Sequence, residues 1–297
     1  MEAATRNFRV GLVQMACAPD PNENLEKAVW RIREAAARGA ELVCLPELFR
    51  TQYFCRIEDP ELFALAEPIP GPTTNTLAAL ARELRISIVA PLFERRAPGL
   101  YHNSAAVILP DGAMAGVYRK MHLPHDPLYF EKYYFAPGDT GFRVFQTPCG
   151  PIAVLICWDQ WFPEAARLAT LAGAILILYP TAIGWHPPEK DAEGHAQLDA
   201  WRTIQRAHAI ANGVFVAAVN RTGREGPPGR DLEFWGSSFL ADPFGRVLAQ
   251  APASEEATLI AECTPALIEQ TRRHWPFLRD RRTDAYQSLL DRWSDRR

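Results

Sequence analysis

Short apolar runs and helix-spaced stretches alternate along this chain, twice over, and that alternation restricts it to a layered α/β fold. Phe8–Gln14 alternates as a strand does. Asn24–Arg38 follows with Leu25, Ala28, Val29, Ile32 and Ala36 at helical spacing, and Gly39 provides the stop. Leu42–Leu45 reads as a short strand, Thr73–Leu84 as a helix and Ile86–Phe93 as a buried strand. Asn103–Leu109 and Met114–Tyr118 flank Pro110-Asp111-Gly112, a hairpin with turn chemistry. The second half repeats the grammar: strand Gly150–Ile156, helix Pro163–Ala172, strand Ala174–Tyr179, helix Ala196–Asn212 and strand Val214–Asn220. A hairpin then turns at Pro243-Phe244-Gly245. The halves share no residue-level repeat. Gly223–Asp231, rich in Gly, Pro and charge, reads as a loop. No linker interrupts the pattern, so residues 1–297 are expected to form a single domain.

A chain of 297 residues with 48% hydrophobic and 23% charged composition can bury a large core without metal or disulfide staples. Its net charge of −3 does not favour nucleic acid as a partner. The six cysteines show neither a CxxC pair nor zinc spacing, and several lie in apolar runs, as reduced buried thiols do in a cytoplasmic protein. Met1–Asn7 is polar, unlike a signal peptide, and no apolar run is long enough to span a bilayer, so no membrane partner is expected. No cofactor and no metal is implied. From Pro265 the tail mixes arginines (Arg272, Arg273, Arg279, Arg281, Arg282, Arg292, Arg296, Arg297) with Trp275, Phe277, Trp293 and interspersed acids. It is expected to pack on its own or a neighbouring subunit rather than on a phosphate backbone.

Three segments place a reactive side chain just past an apolar strand, where α/β folds collect their sites. They are Leu45-Pro46-Glu47, Tyr118-Arg119-Lys120-Met121-His122 and Ile156-Cys157-Trp158-Asp159. Each has an ordinary alternative: Cys157 as a core thiol, Glu47 as half of a salt bridge, Lys120 as a solvated strand end. Cys157 stands where a strand must turn into a helix, and unpaired N–H groups there favour thiolate. Together the three supply a nucleophile, a general base that later acts as an acid, and a cation for developing oxyanion charge. A histidine base is not part of the set. His208 reads as a core histidine and His122 as structural, while Asn220-Arg221 ends a strand where it could order the site loops.

These segments resemble the Glu-Lys-Cys motifs of the nitrilase superfamily, in order and spacing, and are most similar to its N-carbamoylputrescine amidohydrolase branch. The resemblance runs from Val10–Met15 to Trp275–Tyr286 and is most specific at Tyr129–Gly141, Ile156–Glu164 and Tyr179–Gly184. It implies an α-β-β-α sandwich that pairs into an αββα-αββα dimer or a larger homo-oligomer, and a second glutamate near the triad, here Glu131. It also implies hydrolysis of a small carbamoyl amine or amide through a thioester on Cys157. Other activities of the superfamily (aliphatic amidase, ureidopropionase-like, nitrilase) and a silent binding protein remain alternatives.

After Cys157 the chain reads Trp158-Asp159-Gln160-Trp161, with no arginine until Arg167 to hold a substrate carboxylate. A pocket of Tyr53, Phe130, Trp158 and Trp185, with Thr181 nearby and Asp126 or Glu189 available, suits an alkyl ammonium such as that of N-carbamoylputrescine. Two departures from that branch bear on the amine end: His125 stands where the branch resembles Pro-Asp, and Trp185 follows Gly184, where it is expected at the pocket mouth.

Overall fold

The computed structural model describes residues 6–293. Most of the polar start (Met1–Thr5) and the last arginines, Arg296 and Arg297, lie outside them. Along the chain run strand Phe8–Gln14 (β1), helix Pro21–Ala37 (α1), strand Leu42–Cys44 (β2), helix Pro72–Leu84 (α2) and strands Ser87–Ala97 (β3), Leu100–Ile108 (β4) and Met114–Arg119 (β5). A short helix Glu131–Tyr134 (α3) leads to strands Val144–Thr147 (β6) and Gly150–Val154 (β7), helix Pro163–Leu171 (α4), and strands Leu176–Pro180 (β8) and Gly184–Trp185 (β9). Helix Pro187–Asn212 (α5) and strands Phe215–Val219 (β10), Arg224–Glu225 (β11), Leu232–Phe234 (β12), Phe239–Ala241 (β13), Val247–Gln250 (β14) and Ala257–Cys263 (β15) precede helix Ala266–His274 (α6).

Two six-stranded sheets result, ordered β15-β1-β2-β3-β4-β5 and β14-β13-β10-β8-β7-β6. In each, three central strands run parallel (β1-β2-β3, and β10-β8-β7) and the outer strands antiparallel. The shared arrangement gives the repeated grammar of the sequence its structural meaning. Side chains alternate across each strand, so Val10, Leu12 and Val89 of the first sheet pack with Val154, Leu178 and Val216 of the second in one buried core. Val13, Val43 and Ile88 face the other way, onto Ala28, Ile32 and Ala35 of α1 and Leu77 and Leu80 of α2. The order helix, sheet, sheet, helix is the expected α-β-β-α sandwich. Among the described residues no helix is long and apolar enough to cross a membrane.

Four features differ from the sequence reading. Helix α5 begins at Pro187 rather than Ala196, because Pro187 and Pro188 preset the first helical turn. The exposed Glu189–Glu193 turn that follows carries no apolar stripe to reveal it. Strands β6, β12 and β15 were not expected, the first two being only four and three residues long. Gly223–Asp231 is not all loop: β11 pairs with β12 and carries a buried Glu225. The tail forms α6 and two short 3-10 turns, with Leu289, Leu290 and Trp293 exposed.

Candidate active site

Glu47 lies three residues past β2, at a turn where Leu48 takes the left-handed conformation (φ 51°). Arg221, fully buried at the end of β10, holds that turn. Its Nε and Nη2 donate to the Glu47 carbonyl at 3.0 and 2.9 Å, Nη2 also reaches the Leu48 carbonyl at 2.5 Å, and Nη1 donates to Glu225 at 2.9 Å. Glu225 in turn accepts from the Tyr53 backbone N–H. The expectation that Arg221 orders the site loops is thereby met.

Lys120 directly follows β5, where its backbone N–H donates to the Asn103 carbonyl at 2.9 Å. Gly138 passes so close that a Cβ there would lie 2.1 Å from the Arg119 carbonyl oxygen, so this crossing admits only glycine. The Lys120 ammonium donates to Glu47 Oε1 at 2.8 Å and to both oxygens of Glu131 at 2.8 and 2.7 Å. Asn103 Nδ2 also donates to Glu47 Oε1, at 2.7 Å, and the Tyr53 hydroxyl donates to Glu131 Oε1 at 2.7 Å. Lys120, Glu47 and Glu131 are all buried, and two carboxylates share one ammonium. Glu47 Oε2 is buried with no hydrogen-bond partner among the described residues.

Cys157 is buried and also left-handed (φ 43°), three residues past β7 and the first residue of the 3-10 turn Cys157–Trp161. A β-carbon there costs about 1–2 kcal/mol, so the surroundings must enforce the conformation. Burial, then the nearby Glu47, pushes the thiol well above its ordinary range; Lys120 and a backbone contact from Ala182 only partly oppose this. These surroundings oppose the thiolate that the elbow position alone favours: a five-residue 3-10 turn brings little dipole, and the site carries more carboxylate than cation. Burial alone would depress the Lys120 ammonium, but Glu131, Glu47 and Cys157 outweigh it and hold it well above its usual value. Burial lifts Glu131 to about 7; Lys120 opposes this and Glu47 adds to it.

Cys157 lines a cavity of about 380 Å³ together with Trp158, Trp161, Trp235, Tyr129 and Ile183. Asp126, His186 and Glu189 also border it, and its lining includes no lysine or arginine. Asp126 and Trp158 thus line the same cavity as Cys157. Tyr53 sits behind Glu131 rather than on the cavity wall. Phe130 turns its ring edge-on to the exposed His125, and neither lines the cavity. Thr181 is fully buried, its hydroxyl donating to the Tyr179 carbonyl at 2.9 Å. Trp185 is not at the mouth: along β9 Gly184 faces the cavity, so the next side chain points away, and its indole N–H donates to the Gly194 carbonyl at 3.2 Å. Tyr129, Trp161 and Trp235 were not singled out, although the first two fall within stretches that carry the resemblance. His208 bonds the Gln160 carbonyl at 2.8 Å as a core histidine, and His122 pairs with Asp159. Among the described residues no cluster of three or more His, Cys, Asp or Glu side chains is arranged to hold a metal ion.

The family model described as carbon-nitrogen hydrolase matches residues 9–273. An N-carbamoylputrescine amidase from Arabidopsis thaliana is 43% identical over 296 residues, covering 97% of each chain. A citrullinase from Francisella tularensis is 39% identical over 290 residues, covering 97% of this chain and 99% of that one. The crystal structure of a carbon-nitrogen hydrolase from Helicobacter pylori G27 superposes with a TM-score of 0.94 at 43% identity, covering 97% of this chain and all of that one. With a matching family model over nearly its whole length and relatives this close, the chain belongs to the carbon-nitrogen hydrolase family, within the nitrilase superfamily.

Proposed function

We propose that the chain hydrolyses the ureido C–N bonds of a small carbamoyl amine, N-carbamoylputrescine best of all, with Cys157 as nucleophile. The observation that carries this reading is the unpartnered Oε2 of buried Glu47, whose charge bears directly on the buried Cys157 thiol at the cavity wall. As the sulfur adds to the carbonyl carbon, Glu47 takes the thiol proton. Lys120, held by Glu131, stabilises the oxyanion of the tetrahedral intermediate. The intermediate collapses with cleavage of one C–N bond, and Glu47 returns the proton to the departing nitrogen. Water then adds to the thioester, giving its proton to Glu47, and the thiolate leaves and is reprotonated. The carbamic acid formed loses carbon dioxide, so the net products are putrescine, ammonia and carbon dioxide.

The substrate assignment rests on the cavity. Asp126 and Glu189 suit an ammonium, the aromatic walls suit an alkyl chain, and the lack of a lining cation disfavours an α-carboxylate. This weighs against a citrulline-like substrate, although the relative from Francisella tularensis bears that activity's name. The protein is read as a single domain and a homo-oligomer, with the exposed Leu289, Leu290 and Trp293 of its tail covered by a neighbouring copy. Six free cysteines are in keeping with the cytoplasm. Ammonia release measured side by side on N-carbamoylputrescine, citrulline, N-carbamoyl-β-alanine, a short aliphatic amide and an aliphatic nitrile tests the substrate. Preference for the first supports the assignment; preference for any other overturns it and leaves the Cys-Glu-Lys chemistry standing.

A further inference from the structure

Asp159 lies two residues past Cys157, and His122 two residues past Lys120. The Asp159 carboxylate is fully buried and its two oxygens receive four donors. Oδ1 accepts from the His122 backbone N–H at 3.0 Å and from His122 Nδ1 at 2.7 Å. Oδ2 accepts from the Ile156 backbone N–H at 2.8 Å and from the Tyr118 hydroxyl at 2.7 Å. The Asp159 N–H also donates to the Ile156 carbonyl at 3.0 Å, so the residue before Cys157 is gripped through both of its main-chain polar groups. The His122 ring lies flat on Phe162 (centroids 3.7 Å apart, planes 5° apart), which fixes it against the residue that opens α4.

From this arrangement we infer that Asp159 is a positioning residue: one carboxylate ties the strand end bearing Lys120 to the elbow bearing Cys157 and enforces the left-handed backbone at the nucleophile. It touches neither substrate nor the reacting atoms, and the inference rests on the reading of Cys157 as nucleophile. The chemistry requires an acceptor-only group. Each oxygen faces one backbone N–H that can only donate, His122 on Oδ1 and Ile156 on Oδ2, so an asparagine loses one of them whichever way its amide turns. A displacement of about 1 Å in a reacting group lowers rate on the order of a hundredfold.

Two readouts test it. The first is alkylation of Cys157 by iodoacetamide, followed on the Cys157 peptide by mass spectrometry; the second is kcat and KM for ammonia release from N-carbamoylputrescine. In Asp159→Asn, Cys157 alkylation should slow at least tenfold relative to the native chain and kcat should fall on the order of a hundredfold, with KM little changed. Tyr118→Phe removes a single side-chain donor and keeps the backbone grip, so it serves if the asparagine variant does not fold; kcat should fall about tenfold at unchanged KM. Native-like alkylation and kcat in a folded Asp159→Asn, or native kcat in Tyr118→Phe, overturns the clamp alone. If the native protein shows no inactivating alkylation at Cys157, the nucleophile assignment fails and the clamp falls with it.

Discussion

The buried charge cluster and the acidic lining of the cavity are built on opposite principles. In the cluster, Glu47, Lys120 and Glu131 are buried and locked to one another and to Asn103 and Tyr53 by side-chain hydrogen bonds of 2.7–2.8 Å. In the cavity lining, Asp126 and Glu189 make no side-chain ion pair or hydrogen bond among the described residues, and Asp126 is exposed. In the proposed mechanism the preorganised cluster serves the bond-breaking step, which ureido substrates share. The open acidic lining can be remodelled one residue at a time without disturbing the cluster.

That difference sets the order of expected effects. Lys120→Ala removes the proposed oxyanion donor and leaves two buried carboxylates without their ammonium partner. We expect kcat to fall by about 10²–10³, with a loss of about 3–5 kcal/mol in unfolding free energy, read by steady-state kinetics and denaturant titration. A rise in KM alone would make Lys120 a binding group.

Next comes pH. Below about 4.5, Glu131 holds its proton in both the folded and the unfolded chain. Between there and about 7 the unfolded chain releases its proton first, so the stability this group contributes is lost as pH rises through that window and is flat above it. Activity moves the other way, because Lys120 is held by the ionised carboxylate: kcat should decline on the acid side of about 7. Glu131→Gln should remove both slopes, by urea titration and by a pH–rate profile respectively; an unchanged profile would detach Glu131 from Lys120.

Glu189→Gln should leave kcat nearly unchanged and raise KM for the amine substrate about tenfold, with no change for an uncharged amide; equal effects on both would place the ammonium elsewhere. Trp185→Phe should be the mildest, within about threefold in kcat/KM, because the indole lies on the far side of β9. A larger change would return Trp185 to the mouth.

The layers and the buried charge cluster were legible in the sequence for one reason. Strands such as Gly150–Val154 and helices such as Pro21–Ala37 write their burial into a regular period, and reactive residues just past the strand ends stand out against it. Side-chain direction in short loops has no such period. Phe130, Thr181 and Trp185 were drawn to the cavity by their type, yet a one-residue alternation along β9 and a hydroxyl bonded to its own main chain turn two of them away. The state of Cys157 was also hidden. Its surplus of neighbouring carboxylate comes from Glu47 and Glu131, far away in sequence, and only the fold brings them to the thiol.

In the proposed mechanism the buried Cys157 becomes the covalent carrier of the carbamoyl group. Acid-quenched turnover of N-carbamoylputrescine, with digestion and mass spectrometry of the Cys157 peptide, tests it most directly. An acyl adduct on Cys157 should form and decay with turnover, and a Cys157→Ser variant should fold normally, carry no adduct and lose at least about 10⁴-fold in kcat. Full turnover with Cys157 unmodified, or a serine variant of near-native rate, would contradict it.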